Sequence, residues 1–393
     1  MTKLSKKEII EDLLTRSIFR IEIKKNLHQK LESGQKLKIK LGIDPTAVNL
    51  HLGHAVLLLK LKRFQELGHQ IILIVGDFTG LVGDTSDKDA ERPMLSKEQV
   101  QKNLKTYIKQ FGKIVDIKKT EIKHNSEWLA KLDFWELSKQ ASVFSLNEFI
   151  SRTNIKTRLK KGSRISVREL IYPLMQAYDS VAIRADVEIG GSDQWFNLLS
   201  GRTLQKSYQQ PPQNVLTVKL LEGPDGRKMS SSWKNTINIL DEPQEMFGKV
   251  MSINDELIIP YFEHCTELPL VQIKELQQQL KRGKNPKDIK EELAKAITKI
   301  YWGAKGTDIG QGHFQKVIRE KTAPTDLKTI KVTSSTVLLV LAETKLVKSK
   351  GEARRLITQG GIKLNGQVIK SPDQKVKSGD ILQKGKREWL KIE

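Results

Sequence analysis

Cysteine is all but absent: Cys265 is the only one in 393 residues. A single thiol excludes an internal disulfide and any zinc site built on several thiolates. No run reaches the roughly 18 apolar residues that a membrane helix needs, so no span is expected. The first residues, MTKLSKKEIIEDLL, are charged throughout and lack the apolar core of an export signal, so a cytoplasmic location is expected. Acidic residues are also short, 46 Asp and Glu against 68 Lys and Arg, giving a formal net charge of +22 and a pI near 9.7. Such an excess points to a polyanionic partner, nucleic acid before membrane, although a lysine-rich proteome produces the same bias. The 38% hydrophobic and 29% charged residues are ordinary for a globular protein, and the length suits two or three domains.

What is present is concentrated in a few stretches. Lys38 to His54 reads KIKLGIDPTAVNLHLGH. Lys38 to Ile43 has the pattern of a short buried strand, which Asp44-Pro45-Thr46 ends because proline restricts itself and its predecessor. A helix follows, with Asn49 as its expected cap and Leu52, Val56, Leu59 and Phe64 at helical spacing. His51 and His54 fall on its first turn, where unpaired N–H groups and the helix dipole suit a phosphate. Gly53 between them lets a flat group approach the backbone. The plain alternative is a polar helix start that happens to carry two histidines. Downstream, Glu222 to Ser232 reads EGPDGRKMSSS, a turn-rich loop in which Lys228 is followed by Met229 and the hydroxyls of Ser230, Ser231 and Ser232. A cation and small donors on such a loop can close on a triphosphate.

Taken in order, residues 3 to 33 read as amphipathic helix, with Ile9, Ile10, Leu13 and Leu14 on one side. Gln70 to Val75, QIILIV, is the continuous apolar run of a parallel strand covered on both faces. With the preceding strand and helix it makes a right-handed βαβ unit. The acid- and glycine-rich turn after it holds Asp84 and Asp87, at the carboxyl end of a strand, where such sheets bind ligands. Residues 96 to 170 read as helices around one short strand, Thr120 to His124. Trp128, Phe134, Trp135, Phe144 and Phe149 there are read first as core, with an exposed subset available for a subunit interface. Val167 to Ser180 is helical despite Pro173, and Tyr172, Gln176 and Asp179 share one face at i, i+4 and i+7. That face is either solvated or looks into a pocket. Asp186 to Gln194, DVEIGGSDQ, reads as a strand ending in a double-glycine turn, and Val215 to Leu221 as a further strand. From Pro243 to Lys321 the pattern is all helical. Residues 322–332 read as a linker. Residues 333–393 carry 13 Lys and Arg against 6 Asp and Glu, about +7 in 61 residues.

The pair His51-Leu52-Gly53-His54 and Lys228-Met229-Ser230-Ser231-Ser232 resembles the HIGH-type and KMSKS-type signatures of class I aminoacyl-tRNA synthetases. Each is weak alone; together, in this order, they are strong. The helix Y-x-x-x-Q-x-x-D and the turn GGSDQ, here Tyr172, Gln176, Asp179 and Gly190 to Gln194, narrow the resemblance to the tyrosyl-tRNA synthetases. The SK-x-EARR-x-I-x-x-GG-x-K-x-N pattern after residue 348 resembles the small RNA-binding fold named after a ribosomal small-subunit protein. The resemblance implies an α/β fold, with a Rossmann-like parallel-sheet catalytic domain over 1–235 and its helical insertion over about 96–170. An all-helical anticodon-binding-type domain over 236–321 follows, then a small α+β RNA-binding domain over 333–393.

The same resemblance implies the reaction: tyrosine and ATP to tyrosyl-adenylate, with Mg²⁺ accompanying ATP, then transfer to the 3′ end of tRNA(Tyr), in a homodimer. It implies that Tyr172, Gln176, Gln194 and Asp84 hold the tyrosine amino group and that Asp179 accepts the phenol. Asp44, Gly53, His54, Gly191 and Asp193 face ATP and its ribose, together with the loop from Lys228 to Ser232; Thr46, His51 and Lys228 face the pyrophosphate. Lys348, Lys350, Arg354, Arg355 and Lys363 would meet RNA phosphates. Two positions depart from the family pattern. Lys40 stands where many members have a tyrosine that donates to the substrate phenol. It either reaches that hydroxyl or points away, and pointing away is favoured by the desolvation of a charge beside a small apolar pocket. Ser231 stands where a second loop lysine is common, which leaves the loop charge to Lys228, helped by Arg227 or Lys234. The rival readings are a tryptophan-specific synthetase, a nucleotidyltransferase sharing only HxGH, and a synthetase-derived RNA-binding or splicing factor.

Overall fold

The computed structural model describes residues 5–84, 95–316, 327, 329–344, 346–347, 349–385 and 388–393. The chain divides into two compact units, one of residues 1–241 and 249–301, the other of residues 242–248 and 302–393.

The first unit is built on a six-stranded sheet: β1 (Ile18–Glu22), β2 (Lys38–Ile43), β3 (Gln70–Val75), β4 (Thr120–His124), β5 (Val187–Gly191) and β6 (Asn214–Val218), in the order β1-β6-β5-β2-β3-β4. All neighbours are parallel except β1, which runs antiparallel to β6 at the edge. From β2 the chain winds through β3 to β4, then returns to the other side of β2 as β5 and β6. The winding therefore reverses between β2 and β5, and a sheet of this kind opens its ligand crevice at that reversal, beyond the carboxyl ends of the strands.

The expected strands at 38–43, 70–75 and 120–124 are found at those positions. The helix joining β2 and β3 is Leu52–Glu66, and Leu52, Ala55, Val56, Leu58, Leu61 and Phe64 are its buried apolar side chains. Its N-cap is His51, not Asn49. The helix read across residues 3 to 33 is a correction. Helices Lys6–Thr15 and Lys24–Glu32 flank β1, entered through Ser17 and left through Ile23, both at positive φ. IFRIE pairs with β6 because that sheet edge offers hydrogen bonds that helical periodicity does not register.

Between β4 and β5 come helices Phe134–Ser142, Leu146–Ile150, Thr153–Lys160 and Val167–Ile183. The last starts with a capping box, Ser166 with Glu169, and carries Pro173 in its interior. Its apolar side packs against helix Trp195–Ser207, with Ala177, Val181 and Leu204 in one cluster. Of the aromatic residues read as core, Phe149 is buried, whereas Phe134 and Trp135 are 88% and 69% exposed.

Helices Ile258–Cys265 and Leu270–Lys281 belong to this same first unit. The reason is hydrogen bonding: Arg16 donates to the Leu268 carbonyl at 2.7 Å, and the Tyr261 hydroxyl to the Glu222 carbonyl at 2.6 Å. Helix Pro286–Phe314 is broken at Gly303, whose φ is +67°.

In the second unit β7 (Thr329–Ile330), β8 (Ile362–Leu364), β9 (Gln367–Val368), β10 (Ile381–Lys384) and β11 (Glu388–Ile392) form a sheet in the order β7-β11-β10-β8-β9. Val337, Val340 and Leu341 of helix Val337–Glu343 share a core with Ala353 and Ile357 of helix Lys350–Thr358 and with Ile362 and Leu382 of the sheet. Of the linker read at 322–332, residues 322–326 and 328 lie outside the described residues. Among the described residues no helix is long and apolar enough to cross a membrane.

One buried ion pair fixes the start of the Val167–Ile183 helix. Arg158 meets Glu169 with both side chains about 2% exposed or less, and a second Arg158 nitrogen reaches the Arg164 carbonyl at 2.7 Å. Removing one partner strands the other charge away from water. Arg158→Met is therefore expected to lower unfolding stability by about 3–5 kcal/mol, and Arg158→Met/Glu169→Leu to recover most of it. Denaturant melts of the two variants check this, and equal losses would contradict it.

Candidate active site

A cavity of about 510 Å³ opens at the reversal between β2 and β5. It collects almost all the residues singled out in the sequence. Asp44, Thr46, His51, Gly53 and His54 reach it from the end of β2 and the following helix; Asp84 from the turn after β3; Tyr172, Gln176 and Asp179 from one helix. Gly191, Asp193 and Gln194 reach it from the end of β5, and Lys228, Met229, Ser230, Ser231 and Ser232 from the loop. The polar face of the Val167–Ile183 helix is thus a pocket face and not a solvated one. Asp87 lies outside the described residues.

Asp44 is the centre of the floor. Thr79 donates to one of its carboxylate oxygens at 2.7 Å and the Tyr172 hydroxyl to the other at 2.9 Å. Burial pushes its pKa up to about 7, with Asp84 and Asp179 adding repulsion against these two donors. The Tyr172 hydroxyl, expected at the amino group with Asp84, donates its proton to Asp44, and its oxygen keeps lone pairs that can accept. Asp84 accepts from Gln194 at 2.6 Å, and Asn197 joins Gln194 to Gln176 at 3.0 and 3.1 Å.

Asp179 closes the far end. The Trp128 indole donates to it at 2.8 Å and Asn125 at 3.3 Å. Burial raises its pKa to about 6, opposed first by the charge of Lys40 and then by these donors. Asn125 also donates to Thr79 at 2.9 Å, so the two buried carboxylates are joined through Thr79 and Asn125. Neither Asn125 nor Trp128 stands in a motif, and the reading of Trp128 as core hid its polar edge. Thr79 was equally invisible.

Lys40, which could either reach the substrate hydroxyl as a tyrosine ligand or point away, does not line the cavity. It is fully buried on β2, and its ammonium meets Glu188, the Gln176 carbonyl and Ser180 at 2.8 to 2.9 Å. The charge that was too costly beside an apolar pocket is satisfied beneath it.

At the His51–His54 end of the cavity, burial drops the pKa of His51 to about 2 and of His54 to about 4, so both rings are neutral at pH 7. Their centroids lie 4.0 Å apart. The His51 N–H donates to Nδ1 of His54, which leaves the proton of that neutral ring on Nε2. The first-turn amides are less available than expected, because Leu52 donates to the Ile237 carbonyl and His54 to that of His51. Gly53 has a tight neighbour of its own: a Cβ there would lie 3.0 Å from the His51 ring. Lys228 pairs with Asp193 at 3.1 Å. Of the two residues that could assist it, Arg227 and Lys234, Arg227 is paired with Asp225 and stacked over Trp233.

In the second unit Lys350, Arg354 and Arg355 are exposed on the helix whose Ala353 and Ile357 are buried, and Lys363 is half-buried on β8. Lys348 lies outside the described residues.

Gly76, at the end of β3, is the tightest point of the site. A Cβ there would fall 1.9 Å from the Asp44 carboxylate and 2.4 Å from the Thr79 hydroxyl. Gly76→Ala is expected to cost about 1–3 kcal/mol of stability by overpacking, because no flexible chain end can yield there. Thermal unfolding checks this, and an unchanged melting temperature would contradict the crowding.

The comparisons with known proteins agree with this geometry. A family model described as tRNA synthetases class I (W and Y) matches residues 32–311, and an S4 domain model matches residues 338–382. The chain is 42% identical to a tyrosine–tRNA ligase of Dehalococcoides mccartyi, over 97% of this chain and 98% of that protein. It is 45% identical to one of Carboxydothermus hydrogenoformans, over 98% and 97%. In fold it is similar to tyrosyl-tRNA synthetase of Archaeoglobus fulgidus complexed with L-tyrosine, with a TM-score of 0.63 at 23% identity, covering 77% of this chain and 99% of that one. A C-terminally truncated mitochondrial tyrosyl-tRNA synthetase of Aspergillus nidulans gives 0.63 at 20% identity, covering 78% and 93%. A class I catalytic region, an S4 region and near-complete alignment with these relatives place the chain in one family: it belongs to the tyrosyl-tRNA synthetases.

Proposed function

We propose that this chain is an aminoacyl-tRNA ligase that activates tyrosine with ATP and transfers it to the 3′ end of tRNA(Tyr). The observation that carries the reading is the meeting of three groups in one cavity: the HLGH helix start, the loop bearing Lys228, and the Tyr172-Gln176-Asp179 face.

In the first step the tyrosine carboxylate attacks the α-phosphorus of ATP. A phosphorus–oxygen bond forms, the bond to the pyrophosphate oxygen breaks, and no proton moves, so no general base is required. Catalysis is positioning and charge stabilisation. Asp179 accepts the phenol hydrogen, while Tyr172, Asp84, Gln176 and Gln194 surround the ammonium. Asp44 lies between the two substrates, and Tyr172 orients it. The neutral imidazoles of His51 and His54 act as hydrogen-bonding groups and not as charges. Lys228 supplies the positive charge for the leaving pyrophosphate, and to do so it exchanges Asp193 for phosphate, which leaves Asp193 to the ribose. Mg²⁺ enters as a companion of the ATP phosphates. Among the described residues no three His, Cys, Asp or Glu side chains are grouped as a metal cage.

The exposed basic side chains of the S4 region supply phosphate contacts to tRNA. The exposed Phe134 and Trp135, with Leu146 at 63%, supply an apolar face for a homodimer contact. Sedimentation showing a monomer at micromolar concentration would remove that assignment.

ATP–pyrophosphate exchange with each amino acid, without tRNA, tests the reaction. Exchange with tyrosine is expected; exchange with tryptophan and none with tyrosine would overturn it. Lys228→Ala is expected to slow adenylate formation about 100-fold or more, the effect of one preorganised charge contact, with little change in tyrosine affinity. An effect confined to tyrosine KM would contradict that role. Deleting residues 333–393 is expected to spare exchange and to impair tRNA charging, and charging by the intact protein is expected to weaken steeply with salt. Normal charging by the truncated protein would show that the domain serves something else.

A further inference from the structure

Beneath the amino-acid pocket lies a second polar layer, in which Lys40, Glu188 and Ser180 are not among the residues that line the cavity above. Lys40 and Glu188 are cross-strand neighbours on β2 and β5, the two strands at the reversal of the sheet, with side chains 0% and 1% exposed. The ammonium has three protons and spends each one: on Glu188 at 2.9 Å, on the Gln176 carbonyl at 2.9 Å and on Ser180 at 2.8 Å. Glu188 is equally filled. One oxygen takes Lys40 and the Gln176 amide, the other takes Ser180 and Gln213. Two of the three groups that Lys40 holds belong to one turn of the Val167–Ile183 helix, and the third, Glu188, itself binds that turn at Ser180. This turn, from Gln176 to Ser180, carries Gln176 and Asp179 into the pocket.

We propose that the Lys40–Glu188 pair is a positioning device for the amino-acid pocket: it clamps the Gln176–Ser180 turn onto β2 and β5, and selection for the substrate's phenol hydroxyl depends on this ion pair beneath the floor. The inference rests on the tyrosine reading above. Packing alone does not account for the pair. A well-packed apolar couple fills such a space at no greater free energy, whereas a satisfied ion pair accepts only one register of the helix that it binds. The charges also act on the recognition group itself. From the elements around it Asp179 faces Lys40 on β2, Glu188 on β5, Asp44 at the end of β2 and Tyr172 on its own helix, with Trp128 and Asn125 as neutral donors. Lys40 favours the ionised carboxylate and Glu188 disfavours it. The two members of the pair therefore push Asp179 in opposite directions.

That opposition gives a test that a merely structural role does not pass. The ratio of kcat/KM for tyrosine to that for phenylalanine is measured by pyrophosphate exchange from pH 5 to 8, in the wild type, Lys40→Met, Glu188→Gln and the double variant, with KM for ATP and melting temperature alongside. The ratio isolates Asp179, because Asp44 and Tyr172 serve both amino acids alike. The acid limb of the ratio is expected to move to higher pH in Lys40→Met and to lower pH in Glu188→Gln. The double variant holds no unpaired buried charge, so it keeps its melting temperature. Its ratio is nonetheless expected to fall about tenfold to a hundredfold, the range for a displaced hydrogen bond to a charged group, with KM for ATP unchanged. This arm stands even where Lys40→Met does not fold. A double variant with the wild-type ratio, or single variants whose limbs move together or not at all, would overturn the proposal. Absence of tyrosine exchange in the wild type would instead overturn the functional reading beneath it.

Discussion

A carboxylate taken out of water must be met by donors, and this protein buries two in one cavity. Asp44 is held by Thr79 and Tyr172, Asp179 by Trp128 and Asn125, and Asn125 joins the two sets through Thr79. Much of the surrounding structure follows from that chain. Asp44 and Thr79 sit so close to the end of β3 that only glycine fits at residue 76. Asn125 and Trp128 immediately follow β4, so a strand three places from β5 in the sheet is needed to complete a pocket on the β5 side. The helix that carries Tyr172 and Asp179 must be fixed at both ends of the site, and it is: Arg158 grips its first turn at Glu169, and Lys40 holds it further on at Gln176 and Ser180.

The carboxylates also set the electrostatic character of the two ends. Burial raises the pKa values of both carboxylates above the ordinary range. The histidines at the other end are driven the opposite way and stay uncharged. Lys228 is the cation that the loop brings to the cavity, where it is paired with Asp193.

The sequence made legible what depends on local pattern. The βαβ unit, the apolar strand at 70–75 and the one-sided polar face of Tyr172, Gln176 and Asp179 follow from periodicity and turn chemistry, and they occupy the expected places. The edge strand Ile18–Glu22 was missed because its partner, β6, lies nearly 200 residues away. Thr79, Asn125 and Trp128 were missed for a related reason: each acts by holding a motif residue and carries no spacing of its own. Lys40 was visible as a departure, yet its role depended on Glu188, a residue that nothing marked as its partner until β2 and β5 were paired. Asn49 lost the capping position because the loop runs two residues further and His51 takes it. Near-neighbour physics can be read from a single chain, while the contacts that complete a buried charge are settled by topology.

The central claim is that one hydrogen-bond chain serves both ends of the cavity, and Asn125 is its midpoint. Asn125→Ala, assayed by pyrophosphate exchange with tyrosine and with ATP varied separately, tests that claim most directly. The account predicts that kcat/KM falls about tenfold or more for both substrates, because Asp179 loses a donor outright and Thr79, which donates to Asp44, loses the hydrogen bond that orients it. A loss confined to tyrosine, with ATP kinetics untouched, would contradict it.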